Sequence, residues 1–236
     1  MHDGSSVAIV GQGRLGGALT AALRDAGVAV QGPLGRGADG AGADVVLLCV
    51  PDGEIERAAA DVAPGRPVGH CSGATTLAPL AGHEAFSLHP LMTVPEHGAT
   101  FAGATAAVAG STPRALDAAR TLAERLGLRP VEVADADRAA YHAAASIASN
   151  FLVTLEDAAE ELAATAGVDR AALVPLVRAA VENWAAAGAE RALTGPIARG
   201  DEDTVARQRD AVAERTPDLL PLFDALVATT RGLVPA

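Results

Sequence analysis

Short apolar runs alternate with longer amphipathic, alanine-rich stretches along the first half of the chain. The apolar runs predict strands, and three of the stretches between them predict helices. The strands are expected at 6–10, 28–31, 44–50, 66–70, 84–89, 105–109 and 130–133, and the helices at 15–26, 52–62 and 112–127. Residues 32–42 are rich in glycine and show no periodicity, so we expect a loop there. Strands that alternate with helices favour a parallel α/β sheet.

The pattern changes after residue 134, where the sequence predicts no further strand. Helical periodicity continues over 137–166, 169–187, 203–215 and 217–233. We therefore expect an α/β domain over 1–134 and an all-α domain over 135–236. Apolar residues on more than one face of 169–187 indicate that the helical domain forms a homodimer interface.

Charge and hydropathy exclude several classes of partner. The net charge of −11 argues against a nucleic-acid partner, since phosphate backbones are bound by clustered basic residues. No apolar stretch is long enough to span a membrane, and the N-terminus lacks the features of a signal peptide. We therefore expect a cytoplasmic protein. All 18 basic residues are arginines, so no lysine is present to act as an acid, a base or a Schiff-base nucleophile.

Cysteine and histidine spacing indicates no metal site. Cys49 and Cys71 fit no ligand motif, and we expect no disulfide between them in a reducing compartment. His83, His89 and His97 likewise match no compact pattern of metal ligands.

A glycine motif follows the first predicted strand and opens the first predicted helix. Gly11 permits a tight turn, Gly13 lets the backbone approach a pyrophosphate, and Gly16 allows close packing of helix on strand. This context favours a Rossmann-type dinucleotide site, with Arg14 and Leu15 at the start of the helix. The alternative is a scaffold whose glycines serve packing alone.

The second strand carries the signal that separates NAD from NADP. An NAD site usually ends this strand with an acid that holds the ribose 2′-hydroxyl. Here no acid stands at that point, Asp39 comes late, and Arg36 lies nearby. These residues favour NADP, whose 2′-phosphate would pair with Arg36. The alternative is that Arg36 is a solvated loop residue.

Candidate ligand-binding residues lie at the ends of the next three strands, at the edge of the sheet where ligands bind. Val50 and Pro51 follow the third strand, Ser72 the fourth, and His89 ends the fifth. Ser72 is expected either to bind a ligand or to cap a turn. His89 is expected either to face the crevice or to serve packing.

Two further candidate sites lie in the helical half. Three polar residues at intervals of four share one helical face: His142, Ser146 and Asn150. This spacing favours either a ligand site or a row of hydrogen bonds between helices. Arg199 lies in a loop with glycine and proline, where it either binds a carboxylate or pairs with Asp201.

Together, six segments resemble one known family: the glycine motif, "LLCVPD", "HCSG", "SLHPL", "YHAAASIASNF" and "LTGPIARGD". The family consists of Rossmann-like proteins with a C-terminal helical domain of unknown function, in the 6-phosphogluconate-dehydrogenase-like superfamily. That superfamily includes 3-hydroxyisobutyrate dehydrogenases, ketopantoate reductases, prephenate dehydrogenases and pyrroline-carboxylate reductases. The resemblance implies NADP binding and a helical dimerisation domain, and some members of similar architecture are thought to be alternative ketopantoate reductases.

The sequence departs from the superfamily at one catalytic position. Many hydroxyacid relatives carry a lysine four residues before an asparagine on the first interdomain helix. Asn150 matches the asparagine, whereas Ser146 stands in place of the lysine. His142 or His89 is chemically suited to replace it as proton donor.

These observations predict an NADP(H)-dependent reductase of a small 2-oxo acid, with ketopantoate as the first candidate. His142 would protonate the alkoxide through Ser146, Asn150 would orient the carbonyl, and Arg199 would hold the carboxylate. The alternative is a non-catalytic NADP-binding regulatory or sensor protein, which the missing lysine favours. The predicted cofactor residues are Gly11, Gly13, Arg14, Leu15, Gly16, Arg36, Val50, Pro51 and Ser72.

Overall fold

The structure is a computed structural model that describes residues 5–96 and 99–234. The chain divides into two compact units, Met1–Ser149 and Asn150–Ala236. The last strand ends at Glu132, so the first unit also contains a short helical segment.

A seven-stranded sheet forms the centre of the described part of the first unit, with the order β2-β1-β3-β4-β5-β6-β7. Its strands are β1 Ser6–Val10, β2 Ala29–Leu34, β3 Val45–Leu48, β4 Pro67–His70, β5 Glu84–Leu91, β6 Thr105–Gly110 and β7 Arg129–Glu132. Each strand overlaps the strand expected from its apolar run. The α/β class with a following all-α part is therefore confirmed.

One pair of strands differs from the expected parallel arrangement. β6 runs antiparallel to β5, with Leu88 opposite Val108, while the other neighbouring pairs are parallel. A parallel connection needs a crossover, usually through a helix. The described residues between β5 and β6 contain no helix, and the chain returns beside β5 in the opposite direction.

Alternating side chains of the strands build a core on each face of the sheet. On one face Val7 and Ile9 pack with Leu19 and Leu23 of helix α1, Arg14–Asp25. Helix α3, Pro113–Arg125, covers the same face and begins at Thr112, whose hydroxyl accepts a hydrogen bond from the amide of Ala115. On the other face Ala8 and Val10 pack with residues of helix α2, Ile55–Ala60.

The order of the strands creates a crevice at one edge of the sheet. β1 pairs with β2 on one side and with β3 on the other. At such a switch point the connections leave the carboxyl ends of the two central strands in opposite directions, which opens a ligand-binding crevice. The connection from β2 to β3 contains no helix, as expected, although β2 extends to Leu34.

The helix expected at 52–62 differs in its start. A 3-10 turn over Asp52–Glu54 precedes α2, and the side chain of Asp52 caps neither of them. The carboxylate of Asp52 instead accepts hydrogen bonds from the hydroxyls of Ser72 and Thr75.

A helical segment follows β7 after a 3-10 turn. The expected single helix over 137–166 is interrupted: α4 spans Arg138–Ser146, a π-helical segment spans Ile147–Phe151, and α5 spans Leu152–Ala164. A regular α-helical step from Ser146 to Asn150 is therefore absent. π-helical turns of this kind are frequent at functional sites.

The described residues of the second unit form helices and connecting loops and contain no strand. Besides α5 it contains α6 Arg170–Ala187, α7 Ala189–Ala192, α8 Glu202–Arg215 and α9 Leu220–Arg231. Asp169 and Asp201 cap α6 and α8 through their carboxylates. Within 5–96 and 99–234, no helix has the length and apolar character needed to cross a membrane.

Candidate functional site

A cleft of about 220 Å³ opens at the switch point between β1 and β3. Five of the residues expected to bind the cofactor line it together: Gly11, Gly13, Arg36, Val50 and Pro51. They come from three connections, after β1, β2 and β3. The topology therefore joins segments that the sequence separates by up to 40 residues.

The three glycines of the motif differ in the space around them. Gly11 has a φ of +128°, and a methyl group there would overlap the carbonyl oxygen of Cys49. A methyl group at Gly16 would overlap the carbonyl oxygen of Gly11. At Gly13, by contrast, a methyl group would meet no protein atom within 4 Å. Gly11 and Gly16 are thus required by the fold, whereas Gly13 leaves open space beside its backbone.

Helix α1 begins directly after Gly13 and presents its first amides to that space. The N-terminus has no side-chain cap, and its first turn contains no acidic residue. Free amides and the positive end of the helix dipole are the features that bind phosphate. The loop therefore fits the pyrophosphate of a dinucleotide.

Four other expected cofactor residues do not line the cleft, and three of them belong to α1. Arg14 is exposed as the first residue of α1, and Leu15 packs against the core of the sheet. Gly16 is buried in the contact of α1 with the sheet. Leu15 and Gly16 thus contribute to packing.

The segment that follows β2 contributes no acid to the lining of the cleft. Asp39 turns its carboxylate back to the amide of Ala41, at 2.9 Å. Arg36 lines the cleft with three quarters of its side chain exposed, and its Nη1 lies 3.6 Å from Oε2 of Glu54. This end of the cleft therefore presents a guanidinium group.

A second cluster lies at the carboxyl end of β5. Nδ1 of His89 is 2.7 Å from the hydroxyl of Tyr141, and the ring centroids of His89 and His142 are 6.4 Å apart. A methyl group at Gly73 would lie 2.9 Å from Nε2 of His89 and 2.8 Å from Cδ2 of His142. The glycine after β4 therefore leaves space for both imidazole rings.

Tyr141 was not among the residues expected from the sequence, although a signal for it existed. It is the only tyrosine of the chain and stands directly before His142. The hydroxyl of Tyr141 was as good a candidate partner for a hydrogen bond to His89 as the imidazole of His142. What the sequence did not show was that β5 lies opposite α4.

Burial keeps the pair of His89 and Tyr141 uncharged near neutral pH. Desolvation, followed by the charge of His142, lowers the pKa of His89 from 6.5 to about 4. Desolvation also raises the pKa of Tyr141 above its usual value. The hydrogen bond between them therefore joins two neutral groups.

Ser72 is used within the protein. Its hydroxyl donates to Oδ2 of Asp52 at 2.7 Å and accepts from the amides of Ala74 and Thr75. The structure shows the turn cap, and the expected contact of Ser72 with a ligand stays a prediction. Ser72 thereby ties the end of β4 to the residues that follow β3.

A buried arginine, which the sequence did not single out, ties these strand ends to α4. Arg138 is 1% exposed, and its guanidinium donates to Asp135, to the carbonyl oxygen of Ser72 and to the hydroxyl of Ser87. These three bonds connect β4, β5 and the first turn of α4. Arg138 therefore positions the helix that carries Tyr141.

The remaining expected site residues lie further along the chain. Ser146 ends α4, and Asn150 lies in the π-helical segment, where its carbonyl oxygen accepts from the hydroxyl of Thr154. Arg199 is exposed in the second unit, where Asp201 caps α8. The roles assigned to Asn150 and Arg199 stay predictions.

The two cysteines are free thiols whose Sγ atoms are 3.6 Å apart. The hydrogen bond with Cys49, followed by burial, raises the pKa of Cys71 well above its usual value. The residues that the structure describes contain no cluster of three or more potential metal ligands, and His97 lies outside them.

The sheet with its switch point, the glycine loop and the following helices define a Rossmann-type dinucleotide-binding fold with a C-terminal helical unit. Residues 104–230 match the family described as "Domain of unknown function (DUF2520)". The match covers more than half of the chain, which therefore belongs to this family. The expected resemblance to a family with a C-terminal helical domain of unknown function is thus confirmed.

Solved structures show the same fold over nearly the whole chain. Protein BF3122 from Bacteroides fragilis is 17% identical, with a TM-score of 0.80 over 97% of this chain and 98% of that one. Protein TM1727 from Thermotoga maritima is 24% identical, with a TM-score of 0.77 over 96% and 97% of the two chains.

A reductive aminase from Aspergillus terreus in complex with NADPH is 17% identical, with a TM-score of 0.66 over 98% and 96% of the two chains. The search of curated proteins found no match.

Proposed function

We propose that this chain is an NADP(H)-dependent oxidoreductase that reduces a small molecule by hydride transfer. The observation that carries the proposal is the uncapped N-terminus of α1, with open space at Gly13, in the cleft between β1 and β3. The structure of the A. terreus reductive aminase with NADPH, which shares this fold, supports the choice of cofactor.

Different residues of the cleft bind different parts of the cofactor. The first amides of α1 bind the pyrophosphate, and Arg36 pairs with the 2′-phosphate. Val50 and Pro51 line the part of the cleft that follows β3. A bound nicotinamide supplies the hydride for the reaction.

Our first candidate for the substrate is a small 2-oxo acid such as ketopantoate. Reduction of a carbonyl needs a proton donor for the alkoxide oxygen. The lowered pKa of His89 disfavours it as that donor, because the ring is neutral at the working pH. We therefore assign the proton to the exposed His142, and to His89 a hydrogen bond that orients the substrate.

An imine is the second candidate substrate. A protonated imine carries its own proton, so its reduction needs only the hydride. The neutral, buried pair of His89 and Tyr141 favours such a substrate, since neither group delivers a proton readily. A reductase for imines also fits the name of the A. terreus structure.

We also propose that the protein acts as a homodimer through its helical unit. Among the described residues of that unit, the only buried aliphatic side chains are Val205 and Val212. Helix α6 meanwhile exposes Leu176, Val181 and Trp184. Apolar surface of this extent is typical of an interface. We expect a dimer in light scattering after gel filtration, and a monomer after Trp184→Arg.

Enzyme assays test the proposal. Purified protein with NADPH is mixed with a panel of 2-oxo acids and of cyclic and acyclic imines, and the loss of reduced nicotinamide is followed. We expect turnover with one of the two classes, and for a 2-oxo acid a loss of about 10²–10⁴-fold in kcat after His142→Ala.

Two outcomes would contradict the proposal. Tight NADP(H) binding without turnover of any substrate would support the regulatory or sensor alternative. Absence of binding would remove the oxidoreductase hypothesis altogether.

A further inference from the structure

Three charged side chains meet at one oxygen atom in the cleft. Oε2 of Glu54 accepts hydrogen bonds from Nε and Nη2 of Arg57, at 3.0 and 2.9 Å. Nη1 of Arg36 lies 3.6 Å from the same oxygen. Arg36 follows β2 and Arg57 belongs to α2, so two separate segments direct guanidinium groups at one point.

The three charges do not cancel. Two guanidinium groups at +1 each and one carboxylate at −1 leave +1 at the point where these three side chains meet. Asp61 lines the same cleft, but within the described residues no ion pair joins it to either arginine. With Asp61 counted, the four charged residues that line the cleft sum to zero, so the cleft is less acidic than the protein as a whole, which carries −11.

The ion pairs with Glu54 are weak enough for another anion to replace its carboxylate. The side chains of Arg36, Glu54 and Arg57 are 75%, 36% and 50% exposed. Exposed ion pairs contribute little to stability because water and salt screen them. A phosphate has more charge and more oxygen atoms than a carboxylate, and arginine binds it through two parallel hydrogen bonds. A phosphate is therefore the stronger ligand for these two arginines.

The ribose end of the cleft also lacks the acid of an NAD site. β2 ends at Leu34, and the turn that follows it places Arg36 between Gly35 and Gly37. The carboxylate of Asp39 is held by the amide of Ala41. Two acids line the cleft, Glu54 and Asp61, and Oε2 of Glu54 is already hydrogen-bonded to Arg57.

We infer that Arg57 binds the 2′-phosphate of NADP(H) beside Arg36, and that Glu54 occupies the phosphate position until the cofactor arrives. The inference rests on the proposed binding of NADP(H) and adds a residue from α2 that selects NADP over NAD. Glu54 keeps the two guanidinium groups oriented in the free protein. Its carboxylate must then move aside, which costs part of the affinity for the phosphate.

The test compares the affinities of variants for NADP⁺ and NAD⁺ by calorimetry. Arg57→Ala should weaken NADP⁺ binding by about tenfold or more and change NAD⁺ binding by less than about twofold. Glu54→Gln should strengthen NADP⁺ binding by about threefold, because the carboxylate that competes with the phosphate is gone. Arg114→Ala is the matched control, since Arg114 is an exposed arginine paired with Glu84 outside the cleft.

Three outcomes would overturn the inference. One is an Arg57→Ala variant with the same ratio of NADP⁺ to NAD⁺ affinity as the wild type and the control. Another is a loss of NAD⁺ affinity in Glu54→Gln with unchanged NADP⁺ affinity, which would make Glu54 the ligand of the ribose hydroxyl. The third is a wild type that binds neither dinucleotide, and only this outcome also removes the proposed function.

Discussion

Replacing Gly13 by alanine should separate cofactor binding from folding. Gly13 has φ −72° and ψ 178°, an extended conformation that alanine adopts without strain, and its added methyl group meets no protein atom within 4 Å. Alanine is a poorer N-cap than glycine, which costs about 0.5–1.5 kcal/mol. It also lowers the conformational entropy of the unfolded chain, which stabilises the folded state by about 0.4–1 kcal/mol. The free energy of unfolding should therefore change by less than about 1 kcal/mol.

The same methyl group should impair the binding of a dinucleotide. It fills the space through which the pyrophosphate approaches the first amides of α1. We expect the affinity for NADP⁺ to fall by at least about tenfold, equivalent to about 1.4 kcal/mol. Calorimetric titration measures the affinity, and urea unfolding measures the stability.

Gly17→Ala is the matched control for this experiment. Gly17 lies four residues further along α1, and a methyl group there also meets nothing within 4 Å. It should gain about 0.5–1 kcal/mol in stability, because glycine is unfavourable within a helix, and keep its affinity for NADP⁺. The reasoning fails if Gly13→Ala binds NADP⁺ like the wild type, or if it loses stability and affinity together.

Three further predictions concern the stability of the first unit. The pKa of His89 is lowered to about 4 in the folded chain. Between pH 6.5 and about 4 the unfolded chain therefore binds a proton that the folded chain does not. The urea midpoint should fall as the pH falls through this range. His89→Asn should make that fall shallower without abolishing it, since burial also lowers the pKa of His70; a slope equal to that of the wild type would contradict the assignment. Arg138→Met should cost about 3–5 kcal/mol in urea unfolding, because it breaks a buried set of charged hydrogen bonds, and a cost below about 1 kcal/mol would show that the set contributes little. Gly69→Ala should cost about 1–3 kcal/mol, because its methyl group would overlap the ring of Phe86, and a melting temperature equal to that of the wild type would disprove this crowding.

The features that could be predicted from the sequence are those encoded over short distances. The run over Ser6–Val10, the glycines after it and the amphipathic stretch over Arg14–Asp25 form one continuous unit, whose pattern identifies strand, loop and helix. Thr112 before Pro113 likewise indicated the start of a helix from local chemistry alone.

The features that could not be predicted depend on contacts between distant segments. His89 and Tyr141 are 52 residues apart, and Arg138 meets Ser72 across 66. No local pattern reports such a pairing, because it depends on which strand ends the fold brings together. The same limit applies to Arg36 and Glu54, which lie close together because β3 lies beside β1 in the sheet.

Two local features were also missed, for a different reason. The π-helical segment at Ile147–Phe151 has the same hydrophobic period as the helices around it, so periodicity does not reveal the extra residue in the turn. The antiparallel direction of β6 was missed because an apolar run of five residues does not specify the direction of a strand.

A crystal structure of the protein with NADP⁺ would test the role of the glycine loop most directly. We expect oxygen atoms of the diphosphate within about 3 Å of the first amide nitrogens of α1, with the chain folded as described around Gly11 and Gly13. A dinucleotide bound elsewhere on the protein, or crystals that hold no dinucleotide at saturating NADP⁺, would contradict the proposed site and the chemistry built on it.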